Sequence, residues 1–527
     1  MSIEGPLLAA VVETSVRVAA TASRRAKVAE LATLLRRVPV DRVTQVSAYL
    51  SGIIPQGRLG VGWRTLAELP PPAAEPTLTL AEVERLFADL ATTSGPGSAA
   101  RRAGLVAELF ASATADEQVF LRRLIGGELR QGASAAVMLQ AVASAAGLGE
   151  ETVRRAAMLA GSVVAVAEPA LRGGAAALGE IGLRVGTPIL PMLAASAPDL
   201  STVFARDGER VVERKLDGIR IQAHRSPDGI RLFTRSLDDI TARLPEVVAA
   251  VAGLDCRQAV LDGEVLALRA DGTPELFQVT GARAATRGER DRSKAPGASE
   301  TAPVPLTPWF FDLLHLDGVD LLDEPLAARR AALQRLVGDA TGLLVPGIRT
   351  DDPAEAREFF DATVAAGHEG VVVKDPSAPY AAGRRGSSRI KVKPVHTLDL
   401  VVLAVEWGSG RRRGWLSNIH LGARDPDTGD FVMVGKTFKG MTDEMLRWQT
   451  ERFTELATDR DDWVVTVRPE QVVEIAVDGV QRSRRYPGGV ALRFARVLRY
   501  RDDKCADDAD TIDAVRALGG GGVSAHE

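Results

Sequence analysis

Apolar residues recur at helical spacing through about the first 170 residues. Leu7, Val11, Val16 and Val18 begin the pattern, Val28, Leu31, Leu34 and Leu35 form a second stripe, and Val43, Val46, Tyr49 and Leu50 a third. The same spacing predicts helices over Leu80 to Leu90, Leu105 to Phe110, Val119 to Ile125, Ala135 to Ala146 and Val153 to Val166. The run Pro70-Pro71-Pro72 through Pro76 predicts a stiff linker between two helical groups. No strand pattern interrupts them, so residues 1–180 are expected to form an all-α domain.

From Gly186 the period becomes two. Short alternating runs predict strands at Val211 to Arg214, Ile219 to His224, Ile230 to Thr234, Val260 to Leu268, Trp309 to Leu314 and Gly370 to Lys374. Helical stretches separate them at Ile240 to Val251, Leu326 to Leu336 and Pro353 to Ala366, so residues 186–396 are expected to be an α+β domain with antiparallel sheets. Its Arg287 to Pro303 stretch reads as a surface loop. A third texture begins near Leu398: strands at Leu400 to Glu406, Leu416 to Ala423, Phe431 to Val434 and Val472 to Val477, a turn at Asp425 to Asp430, and one helix at Thr442 to Leu456. Short strands with a lone helix predict a five-stranded β-barrel of the oligonucleotide-binding kind (an OB-fold) over 397–516, with 517–527 a flexible tail.

Composition narrows the classes. The 527 residues are 46% hydrophobic and 25% charged with net charge -4, so nucleic-acid affinity has to come from local basic patches. Two cysteines and six scattered histidines without H-x3-H or H-E-x-x-H spacing exclude a disulfide framework and a zinc enzyme. Glu4, Glu13 and Arg17 break any signal-peptide pattern and no apolar run reaches membrane length, so a cytoplasmic setting is expected.

The candidate chemistry centres on Glu213-Arg214-Lys215-Leu216-Asp217-Gly218-Ile219-Arg220. Val211 and Val212 precede it, and alternation resumes after Gly218, which predicts a tight strand-to-strand junction, held by two ladders, with Lys215 facing a cavity. Taken alone, K-x-D-G is better read as a solvated hairpin lysine; the charged residues downstream shift that balance. Arg235 follows a strand, Glu264 lies within the apolar Leu261 to Leu266 run, and Glu369 and Lys374 bracket Gly370 to Val373. A lone carboxylate in an apolar strand needs a cation or donor. Lys391 and Lys393 share one strand face; if it lines the Lys215 cavity it calls for a polyanion such as a triphosphate, and otherwise it is a solvated face. Glu264 and Glu369 could then hold Mg2+ against the phosphates. Phe310 could stack a base, although an aromatic within a strand is more often core. In the helical region two glycine-bearing turns, Gly57 to Trp63 around Gly60 and Gly126 to Gly132 around Gly127 and Arg130, precede helices and lie near Arg24, Arg25, Lys27 and Arg58 in sequence. Such turns either cap a helix or let backbone approach a phosphate.

Taken in order, K-L-D-G-I-R, T-R-S-L-D-D-I-T, L-D-G-E-V, F-F-D-L-L, E-G-V-V-V-K and R-I-K-V-K resemble the nucleotidyltransferase motifs of ATP-dependent DNA ligases. Leu492 to Lys504 is similar to that family's last motif, with Ala495 where proline is usual, a change expected to loosen a turn. Gly186 to Ala194 is similar to the segment leading into the catalytic domain, and the helical region with its G-x-L-R-x-G turn (Gly127 to Gly132) resembles the DNA-binding domain of three-domain members. Each motif is weak alone; seven in order across nearly the whole chain are specific.

The resemblance implies three chemical steps. Lys215 takes AMP from ATP, AMP passes to the 5′-phosphate of a nick in duplex DNA, and the 3′-hydroxyl displaces it. Free lysine has a pKa of about 10.4, so the nucleophile needs neighbours such as Lys391, Lys393 and Arg220 that disfavour its charged form. By the same resemblance Glu213 belongs to the nucleotide pocket, Arg220 and Arg235 contact ribose or nick phosphate, and Glu264 and Glu369 serve metal and sugar. Phe310 stacks on adenine, and Lys374, Lys391 and Lys393 hold the α-phosphate. Arg493, Arg496, Asp503 and Lys504 orient pyrophosphate, with a swivel near Pro394 to Asp399. Gly60, Gly127, Arg130 and Gly132 are the implied DNA contacts. ATP, Mg2+ and nicked duplex DNA are the expected ligands of a nucleoid-associated monomer. An RNA ligase or capping-type nucleotidyltransferase shares the lysine motifs but usually lacks the helical domain. A non-catalytic DNA-binding protein on this fold would not be expected to keep K-x-D-G.

Overall fold

The computed structural model describes residues 5–205, 207–285, 304–338, 342–381 and 385–518. The Arg287 to Pro303 loop lies outside them, as does the expected tail beyond Leu518; Ala517 ends a short helix, Ile512–Ala517.

The N-terminal region is helical throughout its described length, with helices including Leu8–Ala20, Arg24–Arg37, Leu80–Thr92, Ala115–Ile125 and Ala135–Ala146. Local signals set their starts. Thr79 and Thr114 each accept a backbone N–H three residues on, from Glu82 and Glu117, whose carboxylates bond back to the threonine N–H. The expected linker does not separate two cores. Leu8, Leu31, Tyr49, Phe87, Phe110, Met138 and Val166 belong to one apolar cluster, and the proline run is a strap on it, with Ala73 N–H bonded to Ala113 O and Gln118 to Pro70 O.

By contact the chain divides into two compact units, Met1–Ala195 with Asp217–Pro346 and Asp375–Arg389, and Ser196–Leu216 with Gly347–Lys374 and Ile390–Glu527. The first holds an antiparallel sheet ordered β4-β3-β5-β6-β7. Its strands are β3 (Ile219–Ser226), β4 (Gly229–Thr234), β5 (Ala259–Ala267), β6 (Leu306–Leu316) and β7 (Val319–Asp320). A second sheet, ordered β1-β10-β9-β2-β8, comprises β1 (Leu193–Ser196), β2 (Arg210–Arg214), β8 (Gly347–Thr350), β9 (Val371–Lys374) and β10 (Arg385–Val392). The strands flanking Lys215 therefore belong to different sheets: the predicted strand-to-strand junction is a passage between sheets, and the hairpin alternative does not apply. Gly218 is required there: a Cβ would come 2.3 Å from Val265 O.

The C-terminal region begins with β11 (His396–Trp407), β12 (Leu416–Arg424), β13 (Phe431–Thr437), β14 (Ala457–Arg460) and β15 (Val464–Val467). It continues with β16 (Val472–Val477), β17 (Gly479–Arg482), β18 (Val490–Arg493) and β19 (Arg496–Tyr500). Its helix, Asp443–Glu455, is capped by Thr442. β13-β12-β11-β15-β14 form a continuous path, β16 pairs with β11 and β19, and β17 and β18 make a separate ribbon. The arrangement is consistent with an OB-fold, but the sheet is seven-stranded and does not close, where a five-stranded barrel was expected. Strands of four or five residues, as at β14, β15 and β19, are too short for alternation to register.

Candidate active site

The backbone of Lys215 is fixed by reciprocal hydrogen bonds: its N–H donates to Gly370 O at 2.7 Å and its carbonyl accepts from Glu369 N–H at 3.1 Å. That pairing sets Glu369 beside the lysine side chain. One Glu369 oxygen accepts from Lys215 Nζ and the other from Lys393 Nζ, and Lys393 also lies 3.1 Å from Asp478 Oδ2. Burial pulls the Lys393 pKa down, but the bonds to Glu369 and Asp478 outweigh it and leave it raised. Of the cations expected to disfavour a charged Lys215, Lys393 lies beside it, bridged to it by the Glu369 carboxylate. Two positions away on β2, Glu213 is paired with Lys374 of β9, both buried. Val211 faces Lys374 in register, so Glu213 reaches it diagonally. Lys391 is half-buried on β10, and its carbonyl accepts from Ala197 N–H at 3.1 Å. His368 is buried beside Arg214, and burial lowers its pKa to about 4.

In the first unit Arg220 is clasped by Asp262, with bonds of 3.0 and 2.6 Å, and by Met192 O at 2.7 Å. Tyr380 Oη donates to Asp262 at 2.8 Å and accepts from Met192 N–H at 3.1 Å. Burial and the Asp262 charge push the tyrosine pKa upward. Glu264 is half-buried, opposite Arg220 on β3 and Trp309 on β6. Arg235 is exposed on the turn after β4.

Phe310 requires a correction. Its ring is fully buried in the apolar core with Ile221, Leu261, Val265 and Leu313, so it offers no face to a base. A register shift pairs Asp262 with Asp312 but Gly263 with Phe310, leaving Phe311 as the extra residue. Phe311 lies among charges instead, with the guanidinium carbons of Arg220 and Arg389 at 5.5 and 5.9 Å from its ring centre. Asp312, fully buried, is bonded by Arg329 at 2.7 and 3.2 Å and by Arg389. Sequence reasoning passed over Asp262, Asp312, Arg329 and Tyr380; the available signal was an unpaired acid in each of two apolar strands.

In the last motif Arg493 is half-buried at the end of β18 and Arg496 exposed at the start of β19. Lys504 bonds Asp399 at 2.6 Å and Asp503 bonds Arg501 at 2.7 Å. The carbonyl of Ala495, the residue standing where proline is usual, accepts from Thr437 Oγ1 at 2.6 Å. Of the implied DNA contacts, Gly60, Gly127, Arg130 and Gly132 are exposed on their turns. Lys27 is committed elsewhere, donating to Val18 O and Gln131 O at 2.9 and 2.5 Å.

No group of three or more His, Cys, Asp or Glu that could hold a metal occurs among the described residues. Mg2+ shared with phosphates needs only one or two carboxylates. Glu264 is an oxygen donor of the right kind, whereas both Glu369 oxygens are engaged by lysines.

A lysine joined through one carboxylate to a second lysine, on a chain with two antiparallel sheets, is the arrangement the comparisons bear on. Residues 191–393 match the family model described as ATP dependent DNA ligase domain, 412–504 the ATP dependent DNA ligase C terminal region, and 69–143 the DNA ligase N terminus. A "Probable DNA ligase" of Beutenbergia cavernae is 58% identical over 523 residues, 98% of this chain and 100% of that protein. "DNA ligase B" of Mycobacterium tuberculosis is 57% identical over 516 residues, 97% of this chain and 100% of that protein. The solved structure "Pmar-Lig_PreS3" shares the fold, with TM-score 0.62 at 19% identity over 93% of this chain and 99% of that one. The chain belongs to the ATP-dependent DNA ligase family. No helix among the described residues is long and apolar enough to cross a membrane.

Proposed function

We propose that this chain seals nicks in duplex DNA through a lysyl-AMP on Lys215. The observation that carries the reading is the cluster in which Glu369 bridges Lys215 and Lys393. The amine of Lys215 attacks the α-phosphorus of ATP: an N–P bond forms, the bond to the β-phosphate oxygen breaks and pyrophosphate leaves. Glu369, hydrogen-bonded to the ammonium, is placed to hold its proton. Lys374, Lys391 and Lys393 offer the positive charge that triphosphate oxygens need, each exchanging local partners for phosphate. A 5′-phosphate oxygen then attacks the same phosphorus and frees the lysine, and the 3′-hydroxyl displaces AMP.

Arg220 and Arg235 serve ribose and nick phosphate, Glu213 the nucleotide, and Arg493 and Arg496 the departing pyrophosphate. The stacking role passes from Phe310 to Phe311, whose ring is not core. Glu264 and Glu369 would hold Mg2+, which would supply positive charge against the phosphoryl group. Residues 1–180, with Gly60, Gly127, Arg130 and Gly132 at phosphates, 186–396 and 397–516 act as three parts of a monomeric enzyme working in the cytoplasm at the nucleoid. An RNA ligase or capping enzyme is not favoured, because the N-terminal DNA ligase model matches as well.

The test is self-labelling with α-labelled ATP and Mg2+ on protein freed of bound AMP. Label that survives denaturation and is absent from Lys215→Ala is expected; no label on the folded parent would overturn the reading.

A further inference from the structure

Lys393 is held from two sides. Glu369 comes from the strand connection beside Lys215, while Asp478 comes from the C-terminal strand region, between β16 and β17. The Lys393 and Asp478 side chains are 17% and 30% exposed, so their contact is only partly screened. Asp478 is also tied to the last motif: its N–H donates to Arg493 O at 3.1 Å, and Gly479 pairs with Arg493 across β17 and β18. One residue further, Phe494 has a positive φ of 53°, is 59% exposed, and has Lys393 and Lys439 at 5.9 and 5.5 Å from its ring centre. An unfavourable backbone conformation at an exposed aromatic persists only where its surroundings hold it. The same ammonium thus contacts Glu369, Asp478 and the ring that separates Arg493 from Arg496.

We propose that Asp478 is a stand-in for nucleotide phosphate, a positioning residue that occupies Lys393 while the site lacks ATP and yields it when the phosphates arrive. This rests on the reading that ATP binds at Lys215 and Lys393. Exchange of carboxylate for phosphate on Lys393 releases Asp478, and with it the β17–β18 segment that carries Arg493, so the last motif becomes free to turn towards pyrophosphate only after ATP is in place. Asp478 therefore makes the movement of that motif depend on occupancy and sets a threshold on ATP affinity.

The experiment uses the full chain, stripped of AMP with excess pyrophosphate, and α,β-methylene-ATP, whose α–β bridge resists displacement by the lysine. In calorimetric titration with Mg2+, Asp478→Asn is expected to bind about fivefold tighter than the parent, the scale of a partly exposed ion pair, and Asp478→Glu to return to the parent's affinity. Hydrogen exchange over 478–496 supplies a readout that bulk electrostatics would not move. The analogue should speed exchange there in the parent, while Asp478→Asn should exchange fast without it. If Asp478→Asn does not fold, ligand-free Lys393→Gln approaches from the other side and should show the same fast exchange. Equal affinity and unchanged exchange in these variants, with the parent still binding the analogue, would overturn this inference alone. Failure of the parent to bind would overturn the nucleotide reading beneath it.

Discussion

Gly370→Ala should damage both the fold and the chemistry. Gly370 has φ of +128°, and a Cβ there would stand 2.3 Å from Val392 O and 3.0 Å from Lys393 Cα. Both neighbours are backbone, so no rotamer relieves the clash and the strand has to move. Glycine-only backbone costs about 1–3 kcal/mol for another residue, and overpacking a further 1–3 kcal/mol. A loss of about 4 kcal/mol, read as a lower denaturant midpoint, is expected. Since Gly370 O accepts the Lys215 N–H and Glu369 N–H donates back, the movement also carries the nucleophile. A displacement of ~1 Å at a reacting group costs roughly a hundredfold in rate. Single-turnover labelling with α-labelled ATP, at a temperature where circular dichroism shows the variant folded, measures that loss. Gly429→Ala is the control: φ is +75° with no atom within 4 Å, so only strain of about 1–2 kcal/mol is expected and labelling should hold. Parent-like midpoint and rate for Gly370→Ala, or equal damage from Gly429→Ala, would refute the reasoning.

Two further outcomes follow. Phe310→Ala should cost about 3–5 kcal/mol by opening a cavity, whereas Phe311→Ala should cost less stability and raise KM for ATP about tenfold, one base stack; the reverse assignment would restore the sequence expectation. Burial holds the His224 pKa down at about 3, with Arg231 and His315 adding to it, and burial with Arg214 holds His368 at about 4. Unfolded histidine titrates near 6.5, so below that pH the unfolded chain binds protons the folded chain refuses. Stability should be flat above about pH 7 and fall by about 1.4 kcal/mol per unit for each histidine from pH 6.5 towards 5. Melting temperatures at pH 7.5 and 5 check this, and His224→Gln should narrow the gap between them.

What the sequence made legible is what period and order encode. Most helical stripes, the strands around Lys215, and the helix after Thr442 lie where the pattern placed them, because each is long enough to bury one face; the helix expected over Val153 to Val166 instead ends at Leu159, and the next begins at Ala167. The proline strap was misread as a linker because composition reports stiffness, not what the segment lies against. The junction at Lys215 was read as strand to strand, but a one-dimensional pattern cannot say that β2 and β3 join different sheets. Phe310 was misread for a subtler reason: parity along β6 is reset by the extra residue opposite Gly263, and no composition signal marks a bulge.

The charges make the opposite case, where the sequence named the residues but not their state. Lys391 and Lys393 were singled out as too costly to face the Lys215 cavity without a polyanion, and Lys215 and Lys374 carry the same charge. Glu369, Glu213 and Asp478 meet that cost without one, each carboxylate on an ammonium. On the proposed reading, ATP enters by exchanging these partners instead of filling a bare positive pocket. Such an exchange favours a ligand that brings several negative charges at fixed spacing. A single monovalent anion would have to strip one carboxylate from its lysine and replace only part of what it removes. On that reading the paired state is a selectivity device as well as a means of keeping the fold intact between turnovers, and both properties reside in the same carboxylates.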